Sequence, residues 1–329
     1  MPQLRLLDAI RQAMYEEMKR DERVVVLGED VGPKGGVFGA TDGFWAEFGE
    51  ARVLDTPLAE STIVGAAIGM AANGLLPIAE IQFSDFIFPA TNQIVSEAAR
   101  MRYRSNGAFG CPIVIRAPYG GGVEVHGGLY HSQSIEAFFA HVPGLKVVAP
   151  SVPYDAKGLL KAAIRDPDPV LYLEHKRLYR AVRGEVPEDD YVVPIGPAVV
   201  RRPGTTLSLF AYGQMLHEAL AVAAEVAAEG IDVEVVDLQT LRPLDVETIL
   251  ASVRKTSKAL IVYEDNRFLG FGAEVAAIIA EEAFDALDGP VMRVAGLDVP
   301  AVPYADPLAA AFMPSRAKIA DAVRRLAAY

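Results

Sequence analysis

The chain contains 329 residues, of which 51% are hydrophobic and 22% charged, and its formal net charge is −12 at pH 7. This composition is typical of a globular protein, and the length predicts two domains of ordinary size. The negative charge argues against nucleic acid or an anionic membrane surface as a partner, because both would repel the chain.

The cysteine content and the apolar segments indicate where the protein works. Cys111 is the only cysteine, so the chain can form no internal disulfide, which favours a reducing compartment and predicts a cytoplasmic location. The first residues lack a charged leader followed by an apolar run, so no secretory signal is expected. The most apolar stretch, residues 63–78, is interrupted by glycines and a proline, so no membrane span is expected.

Apolar runs of strand length alternate with amphipathic segments of helix length through most of the first half. The first helix is predicted over residues 5–19, because apolar residues recur there at helical spacing. Strands are predicted at residues 24–26, 52–54, 78–82, 113–116, 146–148 and 170–173, and further helices at 61–72, 89–104, 134–140 and 154–164. Continuous apolar strands that alternate with helices indicate a parallel sheet covered on both faces.

The alternation stops near residue 177 and resumes after residue 204. The interval is rich in proline and contains the acidic run Glu188-Asp-Asp190. Residues 186–204 are therefore predicted to be a linker between a first domain, 1–185, and a second, 205–329. Strands are predicted in the second domain at residues 207–212, 233–237, 259–263 and 291–294, with helices at 216–228, 246–253, 273–286 and 315–327. The predicted fold class is thus α/β, with two parallel-sheet domains.

Two of the five histidines, His126 and His131, lie in the glycine-rich segment 120–134. Glycine lets the backbone approach a ligand closely, and polar loops beside strand ends carry the sites of α/β folds. A metal site would need a third ligand, which is not obvious from the spacing, and a purely structural hydrogen-bonding role is an open alternative. We favour a role in handling a proton or a substrate carboxylate.

Two further polar clusters lie beside predicted strands. Glu29 ends the first strand and Glu60 stands directly before a long apolar helix, and either can be an ordinary turn or helix-start carboxylate. The segment 81–90 combines Gln82 and Asp85 with three phenylalanines. Phenylalanine is usually a core residue, yet such a strand end can equally form the flat wall of a pocket that binds a ring.

Three common motifs are missing from the sequence. It has no G-x-x-x-x-G-K-[ST] loop, no G-x-G-x-x-G after a strand and no G-x-S-x-G elbow. P-loop NTPases, typical nicotinamide enzymes and typical α/β hydrolases are therefore disfavoured.

Taken together, these segments resemble the β subunit of thiamin-diphosphate-dependent 2-oxo acid dehydrogenases, and the resemblance covers almost the whole chain. The matching strings are Val25-Val-Leu-Gly-Glu-Asp-Val31, Asp55-Thr-Pro-Leu-Ala-Glu60, Glu80-Ile-Gln-Phe83, His131-Ser-Gln-Ser134, Pro143-Gly-Leu-Lys-Val-Val148, Pro153-Tyr-Asp-Ala-Lys-Gly-Leu-Leu160 and Asp237-Leu-Gln-Thr-Leu-Arg-Pro243. Their number and order make the resemblance specific. It implies a transketolase-like layout, in which a pyrimidine-binding domain precedes a transketolase C-terminal-like domain.

The resemblance implies roles for the candidate residues. Glu60 matches the carboxyl that hydrogen-bonds the aminopyrimidine ring of thiamin diphosphate and so activates the cofactor for attack on a 2-oxo carbonyl. His131 matches a histidine that faces the reacting centre and exchanges a proton there or in acyl transfer to a lipoyl group. The other residues implied to line the cofactor pocket are Glu29, Leu58, Ala59, Gln82, Phe86, Ile87, Phe88 and Pro89. Those implied to lie near the substrate are Gln82, Phe83, Ser84, Asp85 and His131.

One motif of thiamin diphosphate enzymes is absent. Such enzymes bind the diphosphate through Mg²⁺, using Gly-Asp-Gly followed later by Asn as hard oxygen ligands, and no Gly-Asp-Gly occurs here. The diphosphate and Mg²⁺ are therefore expected on a separate α subunit, in an α2β2 heterotetramer that passes the acyl group to a lipoyl-bearing acyltransferase. Relatives also often hold a potassium ion, which would fall here at Ala163, Asp166 and Asp168.

Branched-chain 2-oxo acids are the favoured small-molecule substrates. Segments 82–90 and 130–141 look most like the branched-chain enzymes, with pyruvate and then acetoin as alternatives. A methyl group or two in an apolar pocket is worth only about 1–3 kcal/mol. A non-catalytic scaffold would be expected to lack Glu60 or His131. A self-sufficient transketolase would need its own diphosphate motif and a much longer chain.

Overall fold

A computed structural model describes residues 1–121 and 127–329. The candidate His126 lies outside the described residues. The chain forms two compact units, of which the first consists of Met1–Tyr119 and Phe138–Ile195 and the second of Gly120–Ala137 and Gly196–Tyr329. The segment that carries His131 therefore belongs to the second unit, although it lies within the first half of the sequence.

The first unit contains the parallel sheet that its apolar strands predict. In chain order its elements are β1 Gln3–Arg5, α1 Leu6–Arg20, β2 Val24–Glu29, α2 Phe44–Phe48, β3 Val53–Thr56, α3 Glu60–Ala72, β4 Leu76–Glu80, α4 Met101–Arg104, β5 Val114–Tyr119, α5 Glu136–Ala140, β6 Lys146–Val148, α6 Pro153–Ile164, β7 Val170–His175, α7 Leu178–Ala181 and β8 Arg183–Glu185. The first residues of α5 belong to the second unit. Six strands pair in parallel in the order β6-β7-β5-β4-β2-β3.

Helix α1 packs against α6 through its apolar side chains. Ile10 and Met14 on α1 and Leu159 and Leu160 on α6 are fully buried in the same core cluster. Burial of large aliphatic side chains is worth about 1.5–3 kcal/mol each, so this contact is a main source of stability for the unit.

The helix predicted over residues 89–104 is divided into three short pieces. A 3₁₀ turn at Phe88–Ala90 and a π-helix at Gln93–Ala98 precede α4. The π register is visible in the hydrogen bond from the Ala99 amide to the Ile94 carbonyl, which lies five residues earlier. This turn therefore contains one residue more than an α-helical turn. Such π-helical turns occur often at functional sites.

Residues 186–204, predicted to be a linker, are packed parts of the two units. A Cβ atom at Gly158 on α6 would lie 2.5 Å from the Val193 side chain, so this segment lies directly on the helix. The Asp190 carboxylate forms ion pairs with Lys161 and Arg165 of α6. Apolar packing and charge pairing therefore attach part of the predicted linker to α6, a contact that its proline content does not indicate.

The second unit contains a five-stranded sheet with helices. Its remaining elements are β9 Val199–Arg202, β10 Leu207–Ala211, α8 Gln214–Ala227, β11 Val233–Asp237, β12 Thr240–Arg242, α9 Val246–Thr256, β13 Ala259–Asn266, α10 Gly272–Glu282, β14 Met292–Gly296, α11 Asp306–Phe312 and α12 Arg316–Ala327. The strand order is β14-β13-β10-β11-β9, and only β9 runs antiparallel to its neighbour. Among the described residues, none of the helices combines the length and the apolar composition needed to cross a membrane.

A buried ion-pair network joins three strands of the first sheet. Arg116 on β5 bonds to the Glu80 carboxylate on β4 at 2.5 Å and to the Glu174 carboxylate on β7 at 2.6 and 2.8 Å. The Tyr179 hydroxyl donates to Glu174 at 2.5 Å. Burial raises the pKa of Glu80, and the Arg116 guanidinium opposes that rise. The arginine therefore compensates two carboxylates that would otherwise be costly to bury.

Replacing Arg116 by Met should lower the free energy of unfolding by about 3–5 kcal/mol, because Glu80 and Glu174 would stay buried without a cation. Equilibrium unfolding in urea measures the loss. Arg324→Met is the matched control, since Arg324 forms its ion pairs at the surface, where such pairs contribute little. Equal losses in the two variants would contradict a structural role for the buried network.

Candidate active site

The carboxyl ends of β2 and β4 border a change of direction in the first sheet. From β2 the chain continues to β3 on one side, and from β4 it continues to β5 on the other. In open α/β sheets such a switch point leaves a crevice outside the strand ends, where ligands bind. Glu29 ends β2 and Gln82 follows β4, so two sequence candidates lie at this point.

Gln82 connects the two strand ends. Its side-chain amide donates to the Glu29 carbonyl oxygen at 3.4 Å and to the Asp30 carboxylate at 3.2 Å. The Lys34 ammonium forms an ion pair with Asp30 at 2.6 Å. Asp30 has a φ of 62°, in the left-handed region that aspartate tolerates better than most residues. The Gln82 amide is therefore fixed beside the tight turn that ends β2.

Several carboxylates interact at this switch point. Burial, and then the charges of Asp30 and Glu60, raise the pKa of Glu29. The Asp55 carboxylate adds to the rise and the Lys34 ammonium opposes it. Glu29 and Glu60, which lie apart in the sequence, are thus close enough for their charges to interact. A raised pKa lets a carboxyl keep its proton to higher pH, which is what donation of a hydrogen bond to a ligand requires.

Glu60 is the first residue of α3, and the residues before it are accessible. Leu58 is 68% exposed, whereas Ala59 and Glu60 are half-buried. Ile63 and Val64, in the first turn of α3, are buried and hold the helix in the core. Apolar surface thus lies next to a carboxyl group, a combination suited to a flat ring with polar nitrogen atoms.

The aromatic segment after β4 contributes rings to the same end of the sheet. Phe83 contacts Phe86 edge to face with ring centroids 5.6 Å apart, and Phe38 contacts Phe83 at 5.5 Å. The Lys176 ammonium lies 5.7 Å from the centre of the Phe83 ring. The other candidates here divide by exposure: Ser84 and Ile87 are fully buried, Asp85 is half-buried, and Phe88 and Pro89 are exposed.

His131 is half-buried and lies in the second unit, after the 3₁₀ turn Gly128–Tyr130. A Cβ atom at Gly127 would lie 2.3 Å from the His131 Cβ, so only glycine fits beside this histidine. The Gly127 amide donates to the Ser132 hydroxyl at 2.8 Å. The backbone is therefore held on both sides of His131.

The residues predicted to hold potassium lie at the end of α6 and just after it. Asp166 pairs with Lys146 at 2.5 Å and Asp168 pairs with Arg102 at 2.6 Å. Among residues 1–121 and 127–329, no group of three or more His, Cys, Asp or Glu side chains is arranged to hold a metal ion. Potassium stays a prediction, and it would depend mainly on backbone oxygens such as that of Ala163, because both carboxylates have cationic partners.

Some residues of these sites were not predicted. Asp30 accepts the bond from Gln82, and Phe38 supports Phe83. The available signal was the glycine-rich stretch 32–39, which follows β2 and indicates a turn beside a strand end. The second unit contains two buried carboxylates that were also not predicted. Glu136 lies five residues after His131 in the sequence, and Asp265 lies near the end of β13.

Comparison with known proteins agrees with this architecture. Residues 3–182 match the family described as "Transketolase, pyrimidine binding domain", and residues 196–319 match "Transketolase, C-terminal domain". The chain is 58% identical to the 2-oxoisovalerate dehydrogenase subunit beta of Bacillus subtilis (strain 168), over 98% of each chain. It is 51% identical to the pyruvate dehydrogenase E1 component subunit beta of the same organism, over 91% of each chain. A solved structure described as "Split gene transketolase, inactive beta4 tetramer" matches with a TM-score of 0.79 and 25% identity, covering 99% of this chain and 98% of that one.

The fold and its two matched domains define a two-unit α/β protein of the transketolase type, which confirms the predicted fold class. The identity with the relatives goes further: the chain belongs to the β subunits of the 2-oxo acid dehydrogenases. The resemblance seen in the sequence motifs is thereby confirmed. Membership of this family, together with a pyrimidine-binding domain, implies that thiamin diphosphate takes part in the reaction.

Replacing Asp30 by Asn should lower the pKa of Glu29, because a neighbouring negative charge is removed. Lys34→Met should raise the pKa of Glu29, because the opposing cation is lost. Carbon-13 NMR titration of the glutamate carboxyl groups measures both shifts, and Glu29→Gln identifies the resonance. Shifts of the same sign in the two variants would contradict the electrostatic coupling.

Proposed function

We propose that this chain, together with a separate α subunit, catalyses the oxidative decarboxylation of branched-chain 2-oxo acids and transfers the acyl group to a lipoyl group of an acyltransferase. The observation that carries the proposal is the grouping of Glu29, Glu60 and Gln82 at the switch point of the unit that matches the pyrimidine-binding domain. The 58% identity with the 2-oxoisovalerate relative, against 51% with a pyruvate relative, favours branched-chain substrates.

The residues at the switch point fit the pyrimidine half of thiamin diphosphate. Glu60 offers a carboxyl group to a ring nitrogen, and Glu29 offers a second carboxyl with a raised pKa. The Gln82 amide is held in place by its bonds to the turn after β2. Apolar surface for the faces of the ring would come from Leu58, Ala59, Phe86, Ile87, Phe88 and Pro89. When bound, thiamin diphosphate supplies a reactive carbon and an electron sink for the loss of carbon dioxide.

His131 is the proposed group that moves a proton during the reaction and acyl transfer. Imidazole is the side chain best suited to accept and return a proton near neutral pH. The glycine at position 127 and the Ser132 hydroxyl restrict the backbone around it, as a positioned proton donor requires. On the substrate side we propose Phe83, Ser84 and Asp85 beside Gln82, of which Ser84 is fully buried.

The proposal requires a second chain, because this sequence contains no Gly-Asp-Gly motif for Mg²⁺ and diphosphate. We assign those ligands to the α subunit of an α2β2 assembly. The split-gene transketolase of the solved structure is described as inactive when it is a tetramer of β chains, which supports the expectation that this chain alone is inactive. The potassium ion at Ala163, Asp166 and Asp168 remains part of the proposal.

The purified chain alone should show no decarboxylase activity and should gain it when mixed with the cognate α subunit, thiamin diphosphate and Mg²⁺. Reduction of an artificial electron acceptor by the 2-oxo acid reports turnover. Sustained turnover by the isolated chain would refute the shared site.

Glu60→Gln should reduce kcat in the mixed system by at least about 10²-fold, because the amide cannot supply the carboxyl proton to the ring nitrogen. Glu50→Gln, a change at an exposed glutamate of the same unit, is the control and should behave as wild type. Gel filtration with the α subunit checks that assembly is retained. Full activity of assembled Glu60→Gln would show that the pyrimidine assignment is wrong.

Substrate competition tests the branched-chain assignment. We expect kcat/KM for 3-methyl-2-oxobutanoate to exceed that for pyruvate by roughly tenfold or more, since burial of the extra methyl groups is worth about 1–3 kcal/mol. The two substrates are compared in the same reconstituted enzyme. A higher kcat/KM for pyruvate would assign the chain to the pyruvate enzymes instead.

A further inference from the structure

Two buried carboxylates lie in the second unit beside the segment that carries His131. Glu136 is 0% exposed and Asp265, near the end of β13, is 8% exposed. In the described part of the chain, the groups with the largest effects on the pKa of Glu136 are Asp265, Tyr212, its own backbone and Glu264, none of which is a cation. The proposed chemistry at His131 uses neither of the two acids, so their burial needs another explanation.

Hydrogen bonds of Asp265 and Glu264 connect the part of the chain around His131, which includes residues 127–137 (the His131 segment), to the end of β13. The Asp265 carboxylate accepts bonds from the backbone amides of Asn266, at 2.7 Å, and of Ala137. The adjacent Glu264 accepts a bond from the Gly121 amide at 3.4 Å. Neighbouring residues of one strand thus hold Gly121 and Ala137, which lie on either side of His131 in the chain.

Glu136 lies against this attachment. The Tyr212 hydroxyl, which follows β10, donates to one oxygen of Glu136 at 2.6 Å. The other oxygen, Oε2, is buried and has no hydrogen-bond partner among the described residues. The ends of β10 and β13 also border a switch point of the second sheet, since the chain leaves them in opposite directions. Burial at such a position costs a carboxylate anion far more free energy than a neutral carboxyl.

Repulsion between the charges of Glu136 and Asp265 favours a state in which one of the two carboxyl groups is protonated. Burial, and then the charge of Asp265, raise the pKa of Glu136, and the bond from Tyr212 opposes this rise. Burial raises the pKa of Asp265, against the two backbone amides. Among the described residues, the titratable groups that act on the pair include Glu264, Tyr212 and Tyr263, and the Arg293 guanidinium donates to the Tyr263 hydroxyl at 3.2 Å. Two adjacent buried carboxyls cannot both ionise without a large cost.

We propose that Glu136 and Asp265 are positioning residues that share one proton and thereby hold the His131 segment on the carboxyl end of β13. Asp265 carries the charge that binds the Ala137 amide, and Glu136 carries the proton. This inference rests on the proposed function in one respect, because the proposed function gives His131 its role in the reaction. A metal cation in place of the proton is disfavoured, because no suitable cluster exists among the described residues.

The arrangement makes the attachment sensitive to alkaline pH. A raised pKa means that Glu136 keeps its proton at a pH at which an exposed glutamate has lost it, so the stability that it contributes falls as the pH rises through its folded pKa. Once Glu136 ionises, its charge repels Asp265 and weakens the bond to Ala137. The His131 segment should then open more often.

Hydrogen exchange of the full chain, read by mass spectrometry over a pH series from about 6 to about 10, tests the attachment directly. After correction for intrinsic exchange, the wild-type segment 127–137 should exchange at least about threefold faster at the alkaline end. Glu136→Gln, which keeps a neutral side chain of the same shape, should show no such rise. Asp265→Asn should raise exchange at every pH. Glu281→Gln, a change at an exposed helix residue, should follow wild type.

Tyr212→Phe provides a second, milder variant. Because the Tyr212 bond lowers the pKa of Glu136, its loss should move the onset of faster exchange to higher pH. Identical pH profiles for wild type, Glu136→Gln and Tyr212→Phe, with the core strands still protected, would overturn the proposal.

Activity provides a separate measurement in the enzyme assembled with the α subunit. There, kcat of the wild type should fall on the alkaline side while KM for the 2-oxo acid changes little, and Glu136→Gln should retain its kcat. Absence of turnover in every form would refute the proposed function, and the exchange profiles alone would then decide the positioning role. Equal alkaline losses of kcat in wild type and Glu136→Gln would count against that role.

Discussion

The bond from Arg116 to two buried carboxylates is the interaction on which the first unit's site depends. It joins β4, β5 and β7 through Glu80 and Glu174. Glu80 ends β4 two residues before Gln82, so whatever fixes Glu80 also fixes the strand end that carries the candidate cofactor residues. Tyr179 continues the network, and its ring contacts Phe38, which contacts Phe83. The polar network is thus connected through Tyr179 and Phe38 to the aromatic ring of Phe83.

The second unit solves the same electrostatic problem differently. Its sheet also ends in buried carboxylates, at Glu264 and Asp265, but among the described residues no arginine is a main cause of the pKa shifts of Glu136 and Asp265. Where a cation stabilises a buried acid pair, removal of the cation is costly. Where a proton stabilises the buried acid pair, the charge of the pair changes with pH. The first arrangement suits a rigid platform for a ring, and the second suits a segment whose attachment can loosen.

Local pattern predicted much of the fold, because parallel strands are buried on both faces and therefore appear as short apolar runs. Strands β2 and β7 and helix α1 were found in this way within a few residues. Glu60, Gln82 and His131 were identified through motifs, but the bond from Gln82 to the turn after β2 depends on strand order, which local pattern does not encode. The same holds for residues 186–195, whose order depends on the distant α6, and for segment 120–137, which joins the second unit although the chain around it belongs to the first.

The proposed division of roles among the site residues is compatible with the similarity of relatives whose names give different substrates. In the proposed function, Glu29, Glu60 and Gln82 at the switch point act on the cofactor, which is the same whichever 2-oxo acid reacts, so they meet a common requirement. Discrimination between a branched chain and a methyl group needs only apolar volume, and a few side chains beside Phe83 suffice to provide it. Identities of 58% with a 2-oxoisovalerate relative and 51% with a pyruvate relative agree with such a division. Substitutions in the apolar wall should therefore change which acid is used, whereas substitutions among the carboxyl groups should change whether any acid is used.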